Sequence, residues 1–120
     1  MYKAKIFCGD NFWMVAYIEP DLCKYLRTLY HGYTSNVDKI QKPIWSSHIS
    51  ILRKEEPLDK ELYKSYQDKI INFHLVKKPA TNGLHVWYPI ISPEICKIRT
   101  SLGLNIFSYC SLHLTIGNII

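Results

Sequence analysis

The sequence predicts an α+β fold of antiparallel sheets, set in two lobes related by a pseudo-twofold, with a central cleft between them and helices outside. Three observations lead there. One six-residue pattern (Ser, any residue, His, aliphatic, hydroxyl, Ile) is spelled twice, as Ser46-Ser47-His48-Ile49-Ser50-Ile51 and Ser111-Leu112-His113-Leu114-Thr115-Ile116. Strand-like stretches come in groups with helix-like stretches between them. The 120 residues make one domain, 1–120, long enough to bury roughly two-thirds of the unfolded surface.

Taken in order, Lys3 to Phe7 and Phe12 to Ile18 read as strands around Gly9-Asp10-Asn11, residues that tolerate turns. Glu19-Pro20-Asp21 opens a helix, with Pro where a missing N–H costs nothing. Leu22, Tyr25, Leu26 and Leu29 form its expected buried stripe, and Gly32 is placed to end it. Tyr33 to Lys42 is polar and aperiodic, hence a loop, and Pro43 and Trp45 lead into the first histidine strand. Glu55-Glu56-Pro57 breaks that strand. Asp59 is a candidate N-cap, with Leu58 and Tyr63 spaced as a hydrophobic staple, and Leu62, Tyr66 and Ile70 keep helical spacing. Asn72 to Lys77 and Leu84 to Ile91 read as hairpin strands joined through residues 78–83. Ser92-Pro93-Glu94 starts a helix with a capping hydroxyl, Pro at its first position and an acid in its first turn. Its stripe is Ile95, Ile98 and Leu102, and Gly103 closes it before the second histidine strand.

Apolar content of 48% and charged content of 21% are ordinary for a globular protein. There is no run of eighteen apolar residues, and Met1-Tyr-Lys-Ala-Lys lacks the apolar core of a signal peptide, so no membrane partner and a cytoplasmic location are expected. Cys8, Cys23, Cys96 and Cys110 are scattered without a Cys-x-x-Cys pair, as reduced structural thiols are. The net charge of +5 favours an anionic ligand, with Arg53-Lys54 and Lys77-Lys78 the local concentrations.

The repeated pattern carries the chemistry. Strand side chains alternate between faces, so His48 shares a face with Ser50, and His113 with Thr115, while aliphatic residues take the other side. Side by side, two such strands put two imidazoles and two hydroxyls around one cleft. A neutral imidazole takes a proton from an attacking hydroxyl or water, and a protonated one donates to the leaving oxygen. Ser50 and Thr115 are candidates to hold the non-bridging phosphate oxygens. No metal or other cofactor is required, and Ser and Thr are poor metal ligands. Arg53 would reach a phosphate if the chain curls at the strand end; an ion pair with Glu55 or Glu56 is the alternative. His31, His74 and His85 lack a hydroxyl at i+2 and read as structural. Gly117 is expected on the cleft face.

Two His-x-Ser/Thr motifs about 65 residues apart resemble the 2H phosphoesterase superfamily. His48-Ile-Ser-Ile-Leu-Arg-Lys-Glu-Glu-Pro57, Leu84-His-Val-Trp-Tyr-Pro89, Leu102-Gly-Leu104 and Leu112-His-Leu-Thr-Ile-Gly117 are similar to its phage-encoded branch described as Swiss Army Knife RNA repair-like. The resemblance implies the two-lobed fold, His48 and His113 as catalytic acid and base, and a strand near the cleft on which Trp87 or Tyr88 stacks on a base. Trp45 and Tyr17 are weaker candidates for the same stacking and read first as packing aromatics. The implied activity is a metal-independent cyclic nucleotide phosphodiesterase, with a small cyclic oligonucleotide signal as substrate and counter-defence in the host cytoplasm as role. An RNA end carrying a 2′,3′-cyclic phosphate, and a nucleotide-binding sponge without turnover, are the alternatives.

Overall fold

The computed structural model describes residues 1–33, 40–41, 47–76, 78–105 and 112–119, with the side chains of residues 31–33, 40–41, 118 and 119 excepted. Its elements are β1 (Tyr2–Cys8), β2 (Trp13–Tyr17), α1 (Pro20–Tyr33), β3 (Ile40–Gln41), β4 (His48–Arg53), α2 (Lys60–Ser65), β5 (Ile70–Leu75), β6 (Ala80–Thr81), β7 (His85–Ile91), α3 (Pro93–Ser101) and β8 (His113–Ile119).

The local signals explain most of these boundaries. The turn between β1 and β2 puts Asn11 at φ 58° and Phe12 at φ 60°, left-handed geometry that Asn accepts readily. The Asp59 carboxylate accepts the backbone N–H groups of Glu61 and Leu62, both at 3.0 Å, and so caps α2. Ser92 caps α3 by accepting the Ile95 N–H at 3.3 Å, and its own hydroxyl donates to the Asn72 carbonyl at 2.8 Å. Gly103, at φ 76°, takes the left-handed turn that ends α3.

Two readings of the helices and one of the loops need correction. On α1 the buried residues are Cys23, Leu26 and Tyr30, while Tyr25 and Leu29 are exposed, so the stripe is rotated by one position. On α2 the helix stops at Ser65 and only Tyr63 is buried; Ile70 instead begins β5, exposed. The segments read as loops contain the two-residue strands β3 and β6, which pair with β8 and β7.

The larger correction concerns architecture. The strands do not form two helix-flanked lobes with a cleft between them. They run in the order β3-β8-β4-β2-β1-β5-β7-β6, and a further β7–β8 pairing closes six of them into one antiparallel barrel. Chain alternation tells which face a side chain takes but not which strand lies beside it, and closure depends on the latter. The deciding contact is Ile49↔Leu114, where β4 meets β8 directly. The repeat survives inside the barrel: β1, β2 and β4 form one three-stranded unit, β5, β7 and β8 another, each built as hairpin, helix, histidine strand. The units join edge to edge through β1–β5 and β4–β8.

One face of the sheet is buried throughout. Ile6, Met14, Ile49, Phe73, Val86 and Leu114 form a single cluster with Leu26 of α1, Tyr63 of α2, and Ile95 and Leu102 of α3. Each such side chain contributes about 1.5–3 kcal/mol by leaving water. This cluster fixes the sheet against the helices and leaves the opposite face of β4 and β8 for chemistry.

Candidate functional site

Both histidine strands carry a β-bulge at the same place in their shared pattern. On β4, Val15 pairs with Ser50 and Met14 with Leu52, so Ile51 is the extra residue. On β8, Trp87 pairs with Thr115 and Val86 with Gly117, so Ile116 is the extra residue. A bulge bends the strand and reverses the facing of the residues beyond it. Before the bulge His48 and Ser50 share a half-exposed face; after it Leu52 turns inward and Arg53 returns to the exposed side. The same shift buries Gly117, which therefore does not lie on the face of His113 and Thr115 as its spacing suggests.

Continuing the Ile49↔Leu114 register by one residue each way sets His48 opposite Thr115 and Ser50 opposite His113. The four residues form a cross-strand quartet, imidazoles on one diagonal and hydroxyls on the other. Diagonal neighbours of this kind lie about 7–8 Å apart at the backbone. All four side chains are half-buried. Both histidines take part in further interactions of the fold.

Each imidazole also has an aromatic neighbour. Tyr17, directly opposite His48 on β2, meets it edge-on with ring centroids 6.0 Å apart and planes at 70°. Trp87, opposite Thr115 on β7, meets His113 at 6.1 Å and 61°. Tyr88 points the other way, opposite Leu114, and is 3% exposed in the core, so it offers no stacking surface. Tyr17, a packing residue by its sequence context, is 41% exposed. Trp45 lies outside the described residues, as do Ser46, Lys77, Cys110 and Ser111.

Beside the quartet opens a cavity of about 500 Å³, within the range typical of small-ligand sites. Ser50, Arg53 and His113 line it together with Ile90, Ile95 and Arg99. Sequence reasoning misses Arg99. It is 4% exposed and forks onto Glu55 through Nη1–Oε1 at 2.9 Å and Nη2–Oε2 at 2.7 Å. Its Nη1 also donates to the carbonyl of the bulge residue Ile51 at 2.8 Å, and its Nη2 to the Asn105 carbonyl at 2.8 Å. The sequence does hold a signal: Arg99 sits at i+4 from Ile95, inside the apolar stripe of α3, where only a partnered cation is stable. Glu55 reaches it because Lys54, at φ 56°, turns the chain back, and Glu55 Oε1 also accepts the Arg53 N–H at 2.9 Å. The carboxylate is thus held by Arg99, and among the described residues no carboxylate lies within ion-pair distance of the Arg53 guanidinium.

The other bulge is held alike. Arg27 Nη1 on α1 donates to the Ile116 carbonyl at 3.1 Å. Each half of the barrel therefore sends an arginine from its helix to the bulge of the other half, just past that half's hydroxyl residue. His74 and His85 are exposed and away from the quartet, and the His31 side chain is not described. Cys8, Cys23 and Cys96 are free thiols; burial, and then the Asp68 charge, pushes the Cys8 thiol above its ordinary value. No group of three or more metal-ligating side chains occurs among the described residues, and no described helix is long and apolar enough to cross a membrane. Compared with protein-family models, curated proteins and solved structures, the chain finds no match.

Proposed function

We propose that this protein is a phosphodiesterase that cleaves a ribonucleotide phosphodiester by paired histidine acid–base catalysis, without need of a metal, and that its substrate is a small cyclic oligonucleotide. The observation supporting it is the quartet: two imidazoles and two hydroxyls alternating around one point, on adjoining strands, beside a cavity of small-ligand size. A phosphate centred there has an imidazole on each of two opposite sides, which is what in-line displacement asks of an acid and a base. Ser50 and Thr115 occupy the remaining corners and donate to the non-bridging oxygens, where charge develops. Arg53, returned to this face by the bulge, adds a cation at the cavity rim.

In the transesterification, one imidazole takes the proton of the ribose 2′-hydroxyl, whose oxygen bonds to phosphorus. The bond from phosphorus to the 5′-oxygen breaks, and the other imidazolium protonates that oxygen. The products are a 2′,3′-cyclic phosphate and a 5′-hydroxyl. With water as nucleophile the same pair opens a 2′,3′-cyclic phosphate to a monoester. Substrate orientation decides which imidazole is the base, because the quartet is symmetric in kind. The 2H phosphoesterase resemblance of the two motifs points to the same chemistry, and a phage-encoded chain would act in the host cytoplasm against a cyclic nucleotide messenger.

The test is turnover in EDTA of cyclic dinucleotides, cyclic trinucleotides and RNA ending in a 2′,3′-cyclic phosphate, with products separated by chromatography. Turnover should disappear in His48→Ala and His113→Ala and show a bell-shaped pH profile in the parent. Tight binding without product would make the protein a sponge and refute the catalytic reading.

A further inference from the structure

The aromatic neighbours of the two imidazoles belong to one line of residues. Tyr17↔His48 and Thr115↔Trp87 are ladder partners, and the β4–β8 register adds His48 opposite Thr115. Four adjacent strands therefore carry Tyr17, His48, Thr115 and Trp87 side by side on one face. At about 4.8 Å per strand, the two aromatics lie three strands apart, roughly 14 Å as followed around the barrel wall, with the quartet midway along that path. Tyr17 is 41% exposed, and Phe7 packs on its far side at 6.2 Å, which limits its swing; Trp87 is half-buried against His113.

We infer that the site takes a phosphodiester with a nucleoside on each side, one base stacking on Tyr17 and the other on Trp87. This rests on the proposed function and narrows it. A substrate with one base, such as a nucleoside 2′,3′-cyclic phosphate, would leave one of these surfaces unused. An internal linkage between two ribonucleosides, as in a cyclic dinucleotide, engages both. Stacking suits the role because every base has a π-face, so two aromatics bracketing a phosphate bind a dinucleotide unit with little regard to sequence. Such splayed bases on aromatic side chains are a common mode for single-stranded substrates.

The binding arm of the test needs no turnover. A deoxyribose dinucleoside monophosphate lacks the attacking 2′-hydroxyl and can be titrated calorimetrically against the intact protein, with the corresponding nucleoside monophosphate as comparison. The dinucleoside should bind at least tenfold more tightly, and Tyr17→Ala and Trp87→Ala should each weaken it by about 5- to 150-fold, the range of one lost base stack. Tyr17→Phe keeps the ring and should keep the affinity. Far-UV circular dichroism of each variant checks that the barrel is intact. Equal affinity for the one-base and two-base ligands, or a folded Tyr17→Ala that binds like the parent, overturns the inference. If ribose substrates are not cleaved while the deoxy ligand binds as described, the phosphodiesterase reading fails and the two base sites stand. If a 2′,3′-cyclic mononucleotide is hydrolysed and Tyr17→Ala changes nothing, the base sites fail and the acid–base reading stands.

Discussion

Replacing Glu55 by Ala tests how the first bulge is held. The Arg99 side chain is 5% exposed and that of Glu55 14%, so their fork is a buried pair rather than a surface contact. Removing the carboxylate strands the guanidinium in the core, a change that costs about 3–5 kcal/mol. At about 2.1 cal/mol/K of unfolding entropy per residue, 120 residues give roughly 0.25 kcal/mol/K. The expected fall in Tm is therefore about 12–20 °C, read from far-UV circular dichroism melts and checked by the urea midpoint. Replacing both partners, Glu55→Leu with Arg99→Leu, removes the stranded charge. What remains is the loss of donors to the Ile51 and Asn105 carbonyls, about 1 kcal/mol each, partly offset by apolar contact. The double variant should thus melt above Glu55→Ala. A Glu55→Ala protein that melts within 4 °C of the parent would refute the assignment of this pair as a buried brace.

Three other outcomes can be checked on the same instruments. Burial, then the charges of Cys8 and Asp10, pushes the Tyr63 phenol up to about 12, and its hydroxyl donates to the carbonyls of Gly9 at 2.7 Å and Trp13 at 3.1 Å. Because the folded value lies above the ordinary one near 10, this contribution is complete below pH 10 and disappears as pH rises toward 12. Tyr63→Phe should cost about 1–3 kcal/mol at neutral pH and flatten that alkaline loss in urea titrations. Gly103→Ala forces a Cβ into left-handed backbone, where it would land on the exposed Leu58 side chain; about 1–2 kcal/mol should be lost by thermal melt even after Leu58 swings away. Ile49→Ala empties a fully buried position at the ladder pair that joins β4 to β8 among the described residues, so urea unfolding should register a loss of about 2–5 kcal/mol, with faster amide exchange along β8.

The order of elements is legible because each carries its own local chemistry. Asp59, Ser92 and Gly103 act at the ends of their helices where their spacing puts them, and Glu55-Glu56-Pro57 does come just past the end of β4. The pairing of His48 with Ser50 on one face, and of His113 with Thr115, comes from alternation alone. What alternation does not encode is adjacency, so it suggests two lobes where β4–β8 contact closes one barrel. The bulge of β4 leaves a readable trace, the consecutive apolar residues Ile51-Leu52, which break the period of two. Trp87 lies on the face that alternation assigns it, whereas Tyr88 enters as a stacking candidate only because single-strand reasoning cannot tell a core face from an open one. Arg99 escapes selection, and Tyr17 ranks only as a weaker candidate, for a common reason: their surroundings come from partners on other elements, Glu55 and His48, which no spacing along the chain discloses.

Because the barrel is two similar halves zipped along two seams, either half by itself ends in two raw edges, β1 and β4 in one and β5 and β8 in the other. Backbone donors and acceptors along such edges look for a partner strand, and the best-matched one belongs to the missing half. A chain cut between Ser65 and Ile70 should yield fragments that clump when made singly and reassemble when made together. Each fragment would bring one imidazole and one hydroxyl of the quartet, so the quartet would exist only in the rejoined pair, and the protein becomes a candidate split reporter.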